Sequence, residues 1–266
     1  MKLQVQGRAA YAYTGGKPFA DAGPCAVFIH GALNDHSVWT LLARWYAHHG
    51  HRVLAVDQPG HGRSEGPPLA SVEALADWVL ALLDAAGVAG AHLVGHSMGS
   101  LIALEAAARA PARAASLVML GTAFPMKVSD ALLATARDDP PRAIAMVNAF
   151  SHSSLASKPS YPGPGAWLRG GSSALMHRIQ ADADGNLFEH DFCVCDAYAH
   201  GMEAARQVKC PARLIVGTRD VMTPAKATRE LAGALRAEVS TIASGHALMQ
   251  EAPDAVLNAI RQAIRA

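Results

Sequence analysis

Little in this chain is charged, and what charge there is cancels. Asp, Glu, Lys and Arg make up 17% of the residues, and 23 basic side chains stand against 22 acidic ones. Without a basic excess or an acidic tail, the chain lacks the electrostatic footprint of a nucleic-acid binder or of a protein held to an anionic membrane. Cysteine is scarce as well. The four present, Cys25, Cys193, Cys195 and Cys210, make no disulfide scaffold in 266 residues and suit a reducing compartment. No uncharged apolar run reaches the ~18 residues that a membrane helix needs; Leu101 to Ala108 is interrupted by Glu105. The opening MKLQVQGRAAYAYTGG has no apolar stretch of the secretory kind. The expectation is a soluble, cytoplasmic protein whose partner is a small-molecule substrate, with no nucleic acid and no membrane. No pattern encodes an oligomeric state.

What is present is apolar surface. Hydrophobic residues are 51% of the chain, which excludes a disordered polymer and allows a large core. The length implies one or two domains. Short apolar runs recur at Ala26–His30, Val53–Asp57, His92–Gly95, Ser116–Gly121, Arg213–Gly217 and Glu238–Ile242. Continuous rather than alternating, they fit strands buried on both faces of a parallel sheet. Helical patterns lie between them. Ser71 is placed as an N-cap before Val72, Leu75, Val79 and Leu82, and Gly87 as a stop. A second helix is expected over 98–110, ending before Pro111, and a last one from Pro253. This rhythm predicts an open α/β sheet with right-handed crossovers.

The rhythm breaks between residues 123 and 205. That stretch has no strong strand run. It holds the Pro/Gly-rich Ser160–Trp167, the piece RGGSS at 169–173, and helical patches at 130–137 and 142–150. It reads as a mostly helical insertion over one end of the sheet.

Gly95-His96-Ser97-Met98-Gly99 fits G-x-S-x-G, with a strand run before it and a helical run after it. In that context the serine sits on a tight strand-to-helix turn that exposes its hydroxyl, and small flanking residues let neighbouring chains pass close. A nucleophilic serine needs a base, and the base an orienting acid, in the chain order Ser, acid, His. Asp220 ends the strand-loop run RLIVGTRD, and His246 follows the last strand in ASGHALMQEAP. The competing readings are a turn or cap carboxylate for Asp220 and an ordinary loop histidine for His246. The oxyanion of an acyl transfer needs two N–H donors. Met98, after the serine, and Ala32, after Gly31 in the loop leaving the first core strand, are placed to supply them.

Other features are weaker. Gly60, Gly62 and Gly66 lack phosphate-loop spacing and read as a turn. Cys193-x-Cys195 lacks zinc-knuckle spacing; in a strand both would face one side. No metal and no cofactor is expected. Asp35 and His36 either order the Ala32 loop or touch substrate, the structural role being favoured because Asp suits turns and caps. Gly31, Asp35, His36, Phe124, Met126, Met222 and Leu248 are the candidate pocket residues. Several methionines, Met176 and Met249 among them, are candidates for an adaptable apolar lining.

With HGALNDHSVW at 30–39, DQPGHGRS at 57–64, GHSMG, GTRDVMTP at 217–224 and SGHALMQEAP at 244–253, the chain resembles the α/β-hydrolase superfamily, in its capped, esterase-like group. The resemblance implies an α/β-hydrolase core over 1–122 and 206–266 and a helical cap over 123–205. It also implies Ser97 as nucleophile, Asp220 as acid, His246 as base, and Ala32 and Met98 at the oxyanion hole. A serine at the elbow departs from the dehalogenase and epoxide-hydrolase branches, which carry aspartate there. The expected reaction is hydrolysis of carboxylic esters of small, largely apolar substrates. A carbon–carbon bond hydrolase or a perhydrolase using the same triad, or a ligand-binding protein on this scaffold, are the alternatives.

Overall fold

The computed structural model describes residues 1–153 and 168–264. The Pro/Gly-rich stretch 160–167 therefore lies outside the described residues.

A hairpin opens the chain: β1 (Lys2–Val5) and β2 (Arg8–Tyr13) pair antiparallel. Its turn places Gln6 at φ 49° and Gly7 at φ 79°, the left-handed pair that a two-residue hairpin requires. Gln is an unusual residue there, and both strands are half-exposed, so the hairpin carries no strong sequence signal. The strands β3 (Cys25–Ile29), β4 (Arg52–Val56), β5 (Ala91–His96), β6 (Ala114–Leu120), β7 (Ala212–Gly217) and β8 (Glu238–Ile242) follow. They correspond to the six apolar runs. The eight-stranded sheet has the order β1-β2-β4-β3-β5-β6-β7-β8. β2 joins β4 antiparallel, and every pairing from β4 to β8 is parallel.

Both sheet faces are covered. α2 (Val72–Ala85) and α3 (Met98–Arg109) pack on the face that presents Val27, Ile29, Leu54, Leu93 and Met119. α1 (Thr40–His48) lies on the other, with Phe28, Val53, Val94 and Val118. Neighbouring strand residues thus feed opposite cores, which is why the runs are apolar throughout. The Ser71 hydroxyl caps α2 by accepting from the Ala74 amide, as expected.

Between β6 and β7 come α4 (Asp130–Asp138), α5 (Pro140–Ser151), α6 (Leu168–Asp182), α7 (Leu187–Ala197) and α8 (Gly201–Gln207). α4 to α7 bury a separate apolar cluster that includes Ile144, Met176, Ile179, Phe188 and Phe192. α8 instead sends Ala204 and Ala205 into the core beside α3. RGGSS lies inside α6. Burial of Met176 and Ile179 on that helix outweighs a glycine cost of about 1 kcal/mol per residue. Cys193 and Cys195 lie on α7, not on a strand; Cys193 is exposed and Cys195 buried, so they do not share a face. After β7 come α9 (Arg229–Leu235), then β8, α10 (Leu248–Glu251) and α11 (Pro253–Ala263). Among the described residues no helix is long and apolar enough to cross a membrane.

Candidate active site

Ser97 stands between β5 and α3 with φ 53° and ψ −123°. A non-glycine residue held there costs about 1–3 kcal/mol and persists only where its surroundings over-determine it. Here they do. The Ser97 amide donates to Leu120 O at 2.9 Å, and its carbonyl accepts from the Ser100 amide at 2.8 Å. α3 is also pulled hard against β3. A β-carbon on Gly99 would lie 2.3 Å from the Ile29 carbonyl oxygen, so only glycine fits.

The other two residues arrive from neighbouring strand ends. Asp220 follows β7 and His246 follows β8. His246 Nδ1 meets Asp220 Oδ2 at 2.8 Å. The carboxylate accepts, so the proton sits on Nδ1 and Nε2 is left as the basic nitrogen. Thr223 donates its hydroxyl to the same Oδ2 at 2.7 Å, and the Met222 and Thr223 amides both reach Oδ1 at 2.9 Å. Burial pushes the Asp220 carboxyl up, but the His246 charge and hydrogen bond and the Thr223 donors overcome it and hold the pKa below its ordinary value. The sequence carries a signal for this support, a threonine three residues after Asp220. His96 donates from Nε2 to the His246 carbonyl at 2.9 Å and fixes the loop from the elbow side. Glu251 fixes it from the other side: Oε1 accepts from the Gly245 and Ser153 amides at 3.1 Å each, and the Ala247 amide donates to Ser151 O at 2.9 Å.

Ser97 and His246 line one cavity of about 60 Å³. The loop after β3 passes so near that a β-carbon on Gly31 would be 3.0 Å from Ser97 Cβ. Among the described residues, the Ser97 hydroxyl and the Ala32 and Met98 amides have no hydrogen-bond partner. Ala32, Gly31 and Met222 line the cavity, as do Met176 and Met249. Phe192, one of the aromatic residues of the inserted segment, and Val147, which no sequence feature singled out, form part of the apolar wall. Their helices bury apolar residues on more than one side, so periodicity does not reveal which side faces the serine.

Five candidate pocket residues stand elsewhere. Asp35 caps the short turn His36–Trp39 by accepting from Ser37, and pairs with Arg178 at 2.7 Å. His36 turns to Asp57, whose Oδ1 accepts from its amide and its Nδ1 at 2.7 Å each. The donor atoms of Asp35, His36 and Asp57 lie within 4.8 Å of one another. Ser37, Arg178 and the His36 and Arg63 amides already occupy those carboxylates, so the cluster is a structural knot. Phe124 packs on Tyr198 with ring centroids 5.9 Å apart. Met126 is buried in the core beside α3, and Leu248 in the core beside α11. Closeness in sequence to a site loop does not fix direction, because successive side chains leave the backbone to different sides.

Comparison with known proteins follows the same line. The family model described as alpha/beta hydrolase fold matches residues 27–253. A dihydrolipoyllysine-residue acetyltransferase component of an acetoin cleaving system from Pseudomonas putida is 31% identical over 247 residues, covering 89% of this chain. The chain spans only 62% of that protein's length. A pimeloyl-[acyl-carrier protein] methyl ester esterase from Methylococcus capsulatus is 39% identical over 102 residues, 37% of each chain. The enol-lactonase from Burkholderia xenovorans LB400 superposes with a TM-score of 0.82 at 24% identity, covering 98% of both chains, a likeness of fold. With the family match spanning the parallel strands from Val27 onward, the elbow and the late histidine, the chain belongs to the alpha/beta hydrolase family.

Proposed function

We propose that the protein is a serine hydrolase of carboxylic esters with small, largely apolar acyl groups. The observation that carries the reading is the Asp220–His246 pair at 2.8 Å beside a serine held at φ 53° in the same cavity. Ser97 Oγ attacks the ester carbonyl carbon while His246 Nε2 takes its proton. Asp220 keeps the imidazole in the Nδ1–H tautomer and stabilises the imidazolium. The carbonyl π pair moves onto oxygen, where the Ala32 and Met98 amides receive it. Collapse expels the alcohol, which leaves with the proton from His246. Water, activated by the same nitrogen, then releases the acid and restores Ser97.

The cavity's size and its methionine, valine and phenylalanine wall support a short apolar acyl group. The test is turnover of p-nitrophenyl esters of graded acyl length by wild type and Ser97→Ala, with intact-mass detection of an acyl adduct. Turnover and adduct lost in Ser97→Ala are expected. Undiminished turnover in that variant overturns the reading.

A further inference from the structure

The residue after Ala32 is held by a helix of the segment between β6 and β7. The Leu33 amide donates to Oδ2 of Asp191, on α7, at 2.7 Å. Leu33 adopts φ 49°, a strained conformation for a branched aliphatic residue. Its side chain is fully buried in the apolar cluster of α4 to α7, although its backbone belongs to the loop after β3. A second donor reaches the same carboxylate oxygen: His61 Nε2 stands 2.9 Å from Asp191 Oδ2. The other ring nitrogen, Nδ1, faces the Pro59 carbonyl at 3.1 Å. Both nitrogens face acceptors, so both carry protons and the ring is an imidazolium. Asp191 is thus a buried carboxylate with a buried counter-charge. The pKa direction agrees: burial lowers the His61 pKa, and the charge and hydrogen bond of Asp191 more than reverse it. None of these three residues lines the cavity at Ser97.

We propose that Asp191 is a positioning residue for the oxyanion site, aiming the Ala32 amide by anchoring the amide of the next residue across the boundary between sheet and insertion. This rests on the esterase reading given above. A peptide unit is planar, so the anchored Leu33 N–H, the strained φ and the buried side chain fix the plane that carries the Ala32 carbonyl, which also accepts from Asn34 at 2.9 Å. The Ala32 N–H lies one Cα away, and holding this plane limits the Ala32 dihedrals that aim it. The anchor matters little to substrate docking, because Asp191 and His61 stand away from the cavity. It matters in the transition state, where the Ala32 N–H must meet a developing negative charge.

The test compares two double variants, neither of which leaves a buried charge unpaired. Asp191→Leu with His61→Leu removes the acceptor and both charges. Asp191→Asn with His61→Gln keeps a neutral acceptor for the Leu33 amide. Ester kinetics are measured for both, with inhibition by two ketones of the same chain length. The methyl ketone only docks. The trifluoromethyl ketone is attacked by Ser97 and becomes a hemiketal oxyanion, its proton passing to His246. In the Leu pair, kcat should fall about 10- to 100-fold with KM within about twofold, the range of a misplaced oxyanion donor. Trifluoromethyl ketone affinity should fall by the same factor and methyl ketone affinity should hold. The Asn/Gln pair should recover most of the loss. Wild-type kcat in the Leu pair, or equal loss of both ketones, overturns the proposal. An Asn/Gln pair as impaired as a folded Leu pair also overturns it. If the Leu pair fails to fold, the Asn/Gln pair decides alone: a kcat loss matched by trifluoromethyl ketone affinity, with methyl ketone affinity held, supports the proposal, and wild-type kcat or equal loss of both ketones overturns it. Ser97→Ala runs in parallel. Undiminished turnover there removes the esterase reading itself, a result separate from these.

Discussion

The imidazole of His96 lies 4.8 Å from that of His246, and its Nε2–H is spent on the His246 main-chain oxygen. The residue inside the elbow motif therefore supports the His246 loop as well as flanking the serine. Burial first, and then the nearby His246 charge, push its pKa down to about 3. His30 is treated alike: burial and His61 lower it to about 4.

These two rings set an acid limb of stability. Unfolding returns each to its ordinary value of 6.5, so below that pH the unfolded chain binds more protons. Their contribution is intact above about pH 6.5 and declines as the pH falls toward 4, by up to about 1.4 kcal/mol per pH unit for each ring. Asp220 behaves differently. Its folded pKa lies below its ordinary 3.8, so its contribution stays intact above that value and is lost only at lower pH. Urea unfolding across this range should show stability dropping on acidification through pH 6 to 4, and His96→Gln should flatten the slope. An unchanged slope would show that His96 is not the neutral, buried group described here.

Asp220→Asn tests tautomer control. An amide at Oδ2 offers either a donor, which repels Nδ1–H, or a weaker acceptor. With Thr223 still present the fold should hold, while kcat falls about 10³- to 10⁴-fold. The check is steady-state kinetics beside thermal melting. A loss under tenfold would detach Asp220 from the chemistry.

Gly121→Ala should injure activity more than stability. Gly121 has φ 52°, and a β-carbon there would sit 3.2 Å from both His246 Cε1 and His96 Nε2. His246 must give way by a few tenths of an ångström, which on the logic of near-attack geometry costs kcat about tenfold or more. Crystallography of the variant with kinetics would show whether the ring moves.

Acyl-length preference should follow the Met222 side chain. Wild type should favour esters of about two to four acyl carbons, and Met222→Ala should move the optimum upward, at about fourfold in kcat/KM per added methylene. The same series of p-nitrophenyl esters reads this out. An optimum that stays put would place the acyl group elsewhere.

Strands and elbow were legible because each carries its own local signature: doubly buried strands are apolar throughout, and Ser97 sits in a motif with strand before and helix after. Asp220 and His246 were legible through order and loop context. What could not be read depends on direction and on distant partners. Phe124, Met126 and Leu248 have the right chemistry and neighbourhood but face the cores. Val147 has no special spacing and lines the cavity. The N-terminal hairpin was hidden by a glutamine in a left-handed turn. The Asp191–Leu33 contact joins residues 158 positions apart, beyond the reach of any local pattern.

The double grip of Glu251 on Gly245 and Ser153, with the Ala247–Ser151 bond beside it, bears on how freely this scaffold can be remodelled. Segments inserted into a sheet protein are ordinarily the easiest part to exchange. Here the incoming segment must bring its own backbone groups to partners on the histidine loop. A foreign insertion lacking them would leave the Ala247 amide without its acceptor and the Glu251 carboxylate with the Gly245 amide but without Ser153, at about 1–3 kcal/mol for each group that stays buried and unpaired. Pocket shape and the placement of His246 are thus inherited together: a chimera that changes the first without these contacts would disturb the second.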